Sequence, residues 1–165
     1  MRIYLPSSTS GLQTLLDAGE LGPAPLTAFA VTPALREWYV DDELEELEYA
    51  AMNEAARASL RLLDADPAAA RRRVVVALDA PDAEVEIRDD LDRGVVRLQK
   101  PVALAQIASV HVDDAEAEAA VAAAAGAIIA ADLGDQAAQD RVDDAEGHEL
   151  SWYATQELAN LLGSL

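Results

Sequence analysis

The first forty residues alternate between short apolar runs and helical periodicity. Ile3–Leu5 is continuously apolar, a leucine repeat follows at helical spacing as far as Glu20, and Leu26–Val31 is again continuously apolar. Thr32 and Pro33 then predict the start of a helix, because a proline at the first helical position loses no intrahelical hydrogen bond. This strand–helix–strand opening favours a right-handed crossover between two parallel, neighbouring strands.

A second helical pattern runs from Pro33 to about Asp64, with a break predicted near Val40–Asp42. The glutamates after the break lie in the first turns of the second half, where carboxylates favour the positive end of the helix dipole. That acidic run therefore has a structural explanation. One stripe at 3.6-residue spacing predicts the buried face of this half, and it consists of Leu44, Leu47, Ala51, Ala55, Ala58 and Leu62.

The middle of the chain predicts strands. Val74–Leu78 contains three consecutive valines and is typical of a central strand. Val85–Ile87 and Val95–Leu98 flank a polar turn, which predicts an antiparallel hairpin. Ala108–Val112 is the last strand of the pattern.

The C-terminal third predicts two helices. The first is rich in alanine and runs from Asp113 to about Ala131, and Gly134 ends it; the second runs from near Gly147 to Leu162. Together these patterns predict one α/β domain over residues 1–165. Its mixed sheet has about five or six strands, with a parallel β-α-β start and an antiparallel hairpin, and helices flank it.

Composition narrows the protein class. The chain has 165 residues, 31 of them acidic and 12 basic, with a formal net charge of -19 and no cysteine. Because 52% of the residues are hydrophobic, a core can form and wholesale disorder is excluded. The lack of cysteine excludes a disulfide framework, a thiolate zinc site and a thiol nucleophile. No apolar stretch is long enough to span a bilayer, so we expect a soluble cytoplasmic protein.

The charge also bears on partners. A protein this acidic repels phosphate backbones and anionic membranes, which argues against nucleic-acid and membrane binding. Residues 113–149 hold 11 acids and one arginine, a net charge of about -10. This segment is either a solvated helical face or an acidic surface for a basic protein partner. The run Arg71–Arg73 is interpreted as the solvated start of a strand, with an anion contact as the alternative.

Familiar catalytic motifs do not occur in the sequence. There is no glycine-rich phosphate loop and no Gly-x-Ser-x-Gly elbow. His148 and Glu149 begin like a zinc-protease helix, but Trp152 occupies the position of the second histidine. We therefore predict neither a metal nor a cofactor.

The segment His148–Glu157 is the first candidate for a binding surface. On a helical wheel, His148, Trp152 and Gln156 lie nearly opposite the leucine stripe, with Glu149 to one side. The favoured interpretation buries Trp152 under another element, because large aromatic side chains are mostly buried. The alternative is a binding face, on which the tryptophan supplies contact area and the polar residues supply direction.

The second candidate follows the predicted strand Leu26–Val31. Thr32, Arg36 and Glu37 would lie at the carboxyl end of a parallel strand, where ligands bind in α/β folds. The alternative is structural, with Trp38 in the core and Arg36 and Glu37 in solvent.

Three stretches, Leu26–Tyr39, Glu45–Leu63 and His148–Glu157, resemble an uncharacterised actinomycete-type protein family, a domain of unknown function. The resemblance extends over the full length from Arg2 onward. It implies a single domain and a high-GC genome, and it implies no activity, cofactor or catalytic residue.

Two functions follow from these features. The first is a non-enzymatic binding protein whose acidic surface engages a basic protein partner. The alternative is a small hydrolase or transferase that uses His148 and nearby carboxylates as general acid and base. The oligomeric state stays open.

Overall fold

A computed structural model describes residues 1–40 and 43–165 of the chain. Within these residues the chain forms nine strands and six α-helices. The strands are β1 (Arg2–Ser7), β2 (Glu20–Leu21), β3 (Leu26–Phe29), β4 (Val74–Asp79), β5 (Val85–Ile87), β6 (Val95–Leu98), β7 (Val102–Ala103), β8 (Ile107–Val112) and β9 (Ser151–Tyr153). The helices are α1 (Thr9–Ala18), α2 (Pro33–Trp38), α3 (Leu44–Ala65), α4 (Glu118–Asp132), α5 (Gln136–Glu146) and α6 (Leu158–Gly163).

Seven of the described strands form one sheet in the order β5-β6-β3-β1-β4-β8-β9, and β2 and β7 form a separate pair. Every neighbouring pair is antiparallel. The predicted parallel β-α-β start and mixed sheet are therefore wrong, since β1 and β3 pair antiparallel with Tyr4 opposite Phe29.

The reason lies in the connection between β1 and β3. A ten-residue helix such as α1 spans about 15 Å. The seven residues from Gly19 to Pro25 include β2, and seven extended residues can span roughly 23 Å. The chain is thus long enough to return along the whole helix. It can then start β3 at the end of the sheet where β1 stops, and this makes the two strands antiparallel. An apolar run indicates a strand but not its direction.

The predicted hairpin and the buried central strand are confirmed. Val85 pairs with Leu98, and Ile87 with Val96, in the β5–β6 hairpin. β4 lies between β1 and β8, and its three valines, Val74–Val76, are fully buried.

Helices cover both faces of the sheet. α1 and α6 bury Leu12, Leu15 and Leu158 against one face. α3 packs on the other face, where its Ala51 and Ala55 join a cluster with sheet residues such as Tyr4 and Phe29.

None of the helices in residues 1–40 and 43–165 is long and apolar enough to cross a membrane.

Polar contacts fix α3 along the sheet. The Ser59 hydroxyl donates to the Ser7 carbonyl at 2.7 Å and accepts from the Val74 amide at 3.1 Å. Near the other end of the helix, the Tyr4 hydroxyl donates to Glu48 at 2.9 Å. The helix therefore runs over β1, the central strand of the sheet, and its neighbour β4.

The predicted stripe on α3 is correct in its middle and wrong at its ends. Leu47, Ala51 and Ala55 are buried, whereas Leu44 and Leu62 are exposed and Leu63 is buried in place of Leu62. The buried positions advance by four residues because α3 contacts the sheet first and α4 later. Of the predicted break at Val40–Asp42, Asp41 and Asp42 lie outside the described residues.

Helices α4 and α5 form a hairpin against the C-terminal half of α3. Their shared core is mostly alanine, which allows the helices to approach closely. α4 matches the predicted alanine-rich helix, and Gly134 follows it with φ +97°. The sequence pattern did not predict α5, because its buried residues are small or few: Ala138, Val142 and Ala145.

The predicted C-terminal helix from Gly147 is also wrong over its first half. Ser151–Tyr153 form β9, which pairs with β8, and a 3-10 turn at Thr155–Glu157 leads into the short helix α6. Pairing with β8 overrides the helical leucine spacing, since Ser151 lies opposite Val112 and Tyr153 opposite Val110.

Candidate functional site

A cavity of about 120 Å³ lies between α3 and the loop that joins α5 to β9. One wall belongs to α3 and the other to the residues from the end of α5 onward, and Arg73, which directly precedes β4, completes the lining. The lining consists of Tyr49, Met52, Asn53, Ala56, Arg73, Glu146, His148, Glu149 and Leu150.

Arg73 holds the loop wall in place. Its guanidinium donates two parallel hydrogen bonds to Asp113, both of 2.8 Å, and the two side chains are 3% and 0% exposed. The same guanidinium donates to the carbonyl of His148 at 2.9 Å. Because bidentate arginine–carboxylate pairs have a fixed geometry, this pair fixes the loop that carries His148.

The Arg71–Arg73 run is therefore structural, and its interpretation as a solvated strand start is wrong. Arg71 donates to the carbonyl of Leu63 in the last turn of α3, and to the carbonyls of Asp66 and Ala69 beyond its end. Arg72 forms an ion pair with Glu118 at 3.1 Å. The sequence around the arginines did not indicate this role, because Asp113, the partner of Arg73, is 40 residues away in the sequence.

The charges around the cavity are one-sided. Asp113 neutralises Arg73, while Glu146 and Glu149 are exposed at the cavity and His148 is half-buried. The last turn of α5 carries Asp143, Asp144 and Glu146, at a helix end whose dipole favours cations. The carboxylates and the helix end thus create a negative field where a positive group would be stabilised.

The structure brings together two of the four residues predicted at His148–Glu157. His148 and Glu149 line the cavity, whereas Trp152 lies on β9 and Gln156 is exposed in the 3-10 turn. The favoured interpretation that Trp152 is buried is wrong, because its side chain is 60% exposed. It belongs to a strand at the edge of the sheet, not to a helix packed on two sides.

Thr32 is a structural residue. It is fully buried, its hydroxyl donates to Asp89 at 2.6 Å, and it accepts from the amide of Leu35 at 3.3 Å as the N-cap of α2. Asp89 also accepts from the amides of Ala34 and Gly94 at 3.2 and 3.1 Å. Asp89, which the sequence analysis did not single out, therefore ties the β5–β6 turn to the start of α2.

Arg36 and Glu37 are exposed on α2. Their selection depended on the carboxyl end of a parallel strand, and β3 has antiparallel neighbours on both sides. The alternative, which placed Arg36 and Glu37 in solvent and Trp38 in the core, is correct for the first two residues and wrong for Trp38. Trp38 is 61% exposed, and the guanidinium of Arg93 stacks on its ring at 3.5 Å from the centroid.

The two histidines have separate surroundings. His111 lies on β8, where its Nε2 is 2.9 Å from the hydroxyl of Ser109. Burial, with a smaller contribution from Arg2, lowers the pKa of His111. His148 instead lines the cavity. Across residues 1–40 and 43–165, no three side chains of His, Asp or Glu are grouped so that they could hold a metal ion.

The chain is similar to a known protein family. The sequence model of a family of unknown function, DUF6912, matches residues 1–162. No curated protein matches the chain, and no solved structure does. Because the match covers nearly the whole chain, the protein belongs to the DUF6912 family of unknown function.

Proposed function

We propose that this chain is a cytoplasmic, non-enzymatic binding protein that engages a basic protein partner at the cavity between α3 and the α5–β9 loop. The observation that carries this proposal is the charge balance of the cavity. Asp113 matches the one guanidinium in the lining, that of Arg73, while Glu146 and Glu149 keep their carboxylates toward solvent.

The lining suits the end of a lysine or arginine side chain. Tyr49 is 53% exposed and offers a ring face for a cation, and Asn53 and Glu149 offer oxygen acceptors. Met52 and Leu150 supply apolar contact for the aliphatic stem. The volume, about 120 Å³, is below the range of roughly 300–1,000 Å³ that small-molecule sites occupy. The size therefore favours one inserted side chain over a metabolite.

The acidic segment 113–149 contributes mainly through its last residues. Asp113, Glu118 and Asp132 form ion pairs within the chain, and Asp114 and Asp135 cap helices. Glu146 and Glu149 are exposed and line the cavity, and Asp144 is exposed two residues earlier in α5. With a net charge of -19, the whole molecule also attracts a basic partner over a distance.

Affinity capture from a lysate of the source organism tests this proposal when three baits are compared. The parent should retain a basic protein at low salt and lose it at high salt. The double variant Glu146→Gln/Glu149→Gln should lose it already at low salt. The control Glu20→Gln/Glu116→Gln removes the same charge at exposed residues outside the cavity lining and should capture like the parent. Equal capture by all three baits would refute the cavity as the binding site.

A second candidate function has its own observation. His148 shares one cavity with Glu146 and Glu149, an arrangement that could serve general acid–base catalysis in a hydrolase or transferase. A panel of ester, amide and phosphate-ester substrates tests it, with His148→Gln as the comparison. Turnover that is lost in His148→Gln would favour the enzyme. Turnover that survives this substitution would exclude His148 as its acid–base.

A further inference from the structure

The two edges of the seven-stranded sheet differ in their side chains. At the β5 edge, Glu86 pairs with Arg88 at 3.6 Å, and Glu84 pairs with Lys100 at 3.2 Å. Charged side chains at an edge discourage pairing with another chain. β9, at the opposite edge, consists of Ser151, Trp152 and Tyr153, which are all uncharged.

From this contrast we infer that β9 receives an extended basic segment of the partner protein as an eighth strand of the sheet. The inference rests on the proposed function, because it specifies how the basic partner binds. In an antiparallel edge strand, alternate N–H and C=O groups point away from the sheet and can pair with an added strand.

Both faces of β9 offer contacts for such a strand. Trp152 is 60% exposed on one face. On the other face, an open groove of about 300 Å³ lies between β9 and α6, lined by Tyr153, Glu157, Asn160, Leu161 and Ser164. Successive side chains of an extended segment alternate between the two faces, so one set would contact Trp152 and the other would enter the groove.

Charge selects the occupant. Glu146 and Glu149 precede β9 at the cavity, and Glu157 follows it in the groove. A segment paired with β9 would thus lie between carboxylates at both ends of the strand. A second copy of this chain carries the same charge of -19 and would be repelled, whereas lysine or arginine side chains would be attracted.

The test uses an eight-residue peptide of alternating lysine and valine and the intact protein. Nuclear magnetic resonance should show slowed amide exchange within Ser151–Tyr153 on titration, with Val85–Ile87 at the other edge as the internal control. Two further peptides carry N-methyl groups on the odd or on the even residues. Because only alternate amides face β9, one methylated peptide should bind like the parent peptide and the other at least about tenfold more weakly.

The possible results distinguish strand addition from the basic-partner proposal. Equal binding of the two methylated peptides, or protection confined to residues outside β9, overturns strand addition. A helical lysine–alanine peptide separates this inference from the proposed function. If that peptide binds with dependence on Glu146 and Glu149 while the lysine–valine peptide leaves β9 unchanged, strand addition fails and the basic-partner proposal stands. If neither peptide binds at millimolar concentration, both fail.

Discussion

Two acid-rich regions of this protein lie at opposite ends of helices, and only one of them stabilises its helix. Glu45 and Glu46 occupy the first turn of α3, where the helix dipole favours negative charge. Asp143, Asp144 and Glu146 occupy the last turns of α5, where the dipole opposes them. The position of the first cluster is explained because it stabilises α3. The position of the second cluster is not explained by helix stability. Its place beside the cavity with His148 and Glu149 offers a functional reason instead.

The largest expected effect concerns the ion pair that fixes the loop beyond α5. Asp113→Ala leaves the buried guanidinium of Arg73 without its carboxylate, and breaking a buried pair in this way typically costs about 3–5 kcal/mol. Chemical denaturation should show a loss of that size. The double variant Asp113→Leu/Arg73→Met removes both charges and should recover the part of the loss that comes from the unpaired guanidinium, although the backbone amide at position 73 still lacks the carboxylate that it contacts at 2.7 Å. A loss below about 1 kcal/mol for Asp113→Ala would mean that the pair does not hold the loop.

A smaller effect is expected at the start of α5. Asp135 is the N-cap, and its carboxylate accepts from the amide of Ala138 at 3.0 Å. Asp135→Ala should lower the free energy of unfolding by about 1 kcal/mol, because an N–H of the first turn loses its partner. Asp135→Asn keeps a capping oxygen without the charge and should cost much less. An equal loss in the two variants would attribute the effect to charge and not to the cap.

A matched pair of charge reversals tests the comparison of the two acidic regions directly. Glu46→Lys and Glu146→Lys change the net charge by the same amount at exposed residues. The first should destabilise the protein and the second should stabilise it, each by about 0.3–1 kcal/mol at low salt. Thermal melts at low and high salt measure both, and salt should shrink the difference. If both variants were stabilised equally, the cause would be reduced repulsion among the many negative charges of the whole protein. The two helix ends would then not differ in their effect on stability.

The sequence predicted those parts of the fold that depend on continuous apolar runs. β4, β8 and the β5–β6 hairpin agree with the structure because buried valine-rich strands need apolar residues whatever their partners are. Strand direction was mispredicted at β1 and β3, since it depends on the path of the connection and not on the strands themselves. β9 was mispredicted because its three residues gain strand geometry only from pairing with β8.

The candidate site was predicted only in part for a similar reason. His148 and Glu149 were identified from their unusual local composition, and they do line the cavity. The α3 wall with Tyr49 and Asn53, and the support from Asp113 through Arg73, come from distant parts of the chain. A helical wheel relates only residues within one element. It therefore grouped Trp152 with His148, although the two belong to different structural environments.

The smallest expected effect on stability is at Trp152, in the region that follows the acidic end of α5. Because the side chain is 60% exposed, Trp152→Ala should change the free energy of unfolding by no more than about 0.5 kcal/mol. The matched control is Leu158→Ala, which removes a fully buried side chain a few residues further on and should cost about 2–5 kcal/mol. Denaturation of both variants beside the parent measures the contrast. If Trp152→Ala were destabilised as much as Leu158→Ala, the tryptophan would be packed in solution and the surface around β9 would be closed to a partner. If it unfolds like the parent, a large aromatic residue is held in solvent without a stabilising role, next to an acidic helix end that the helix dipole does not explain.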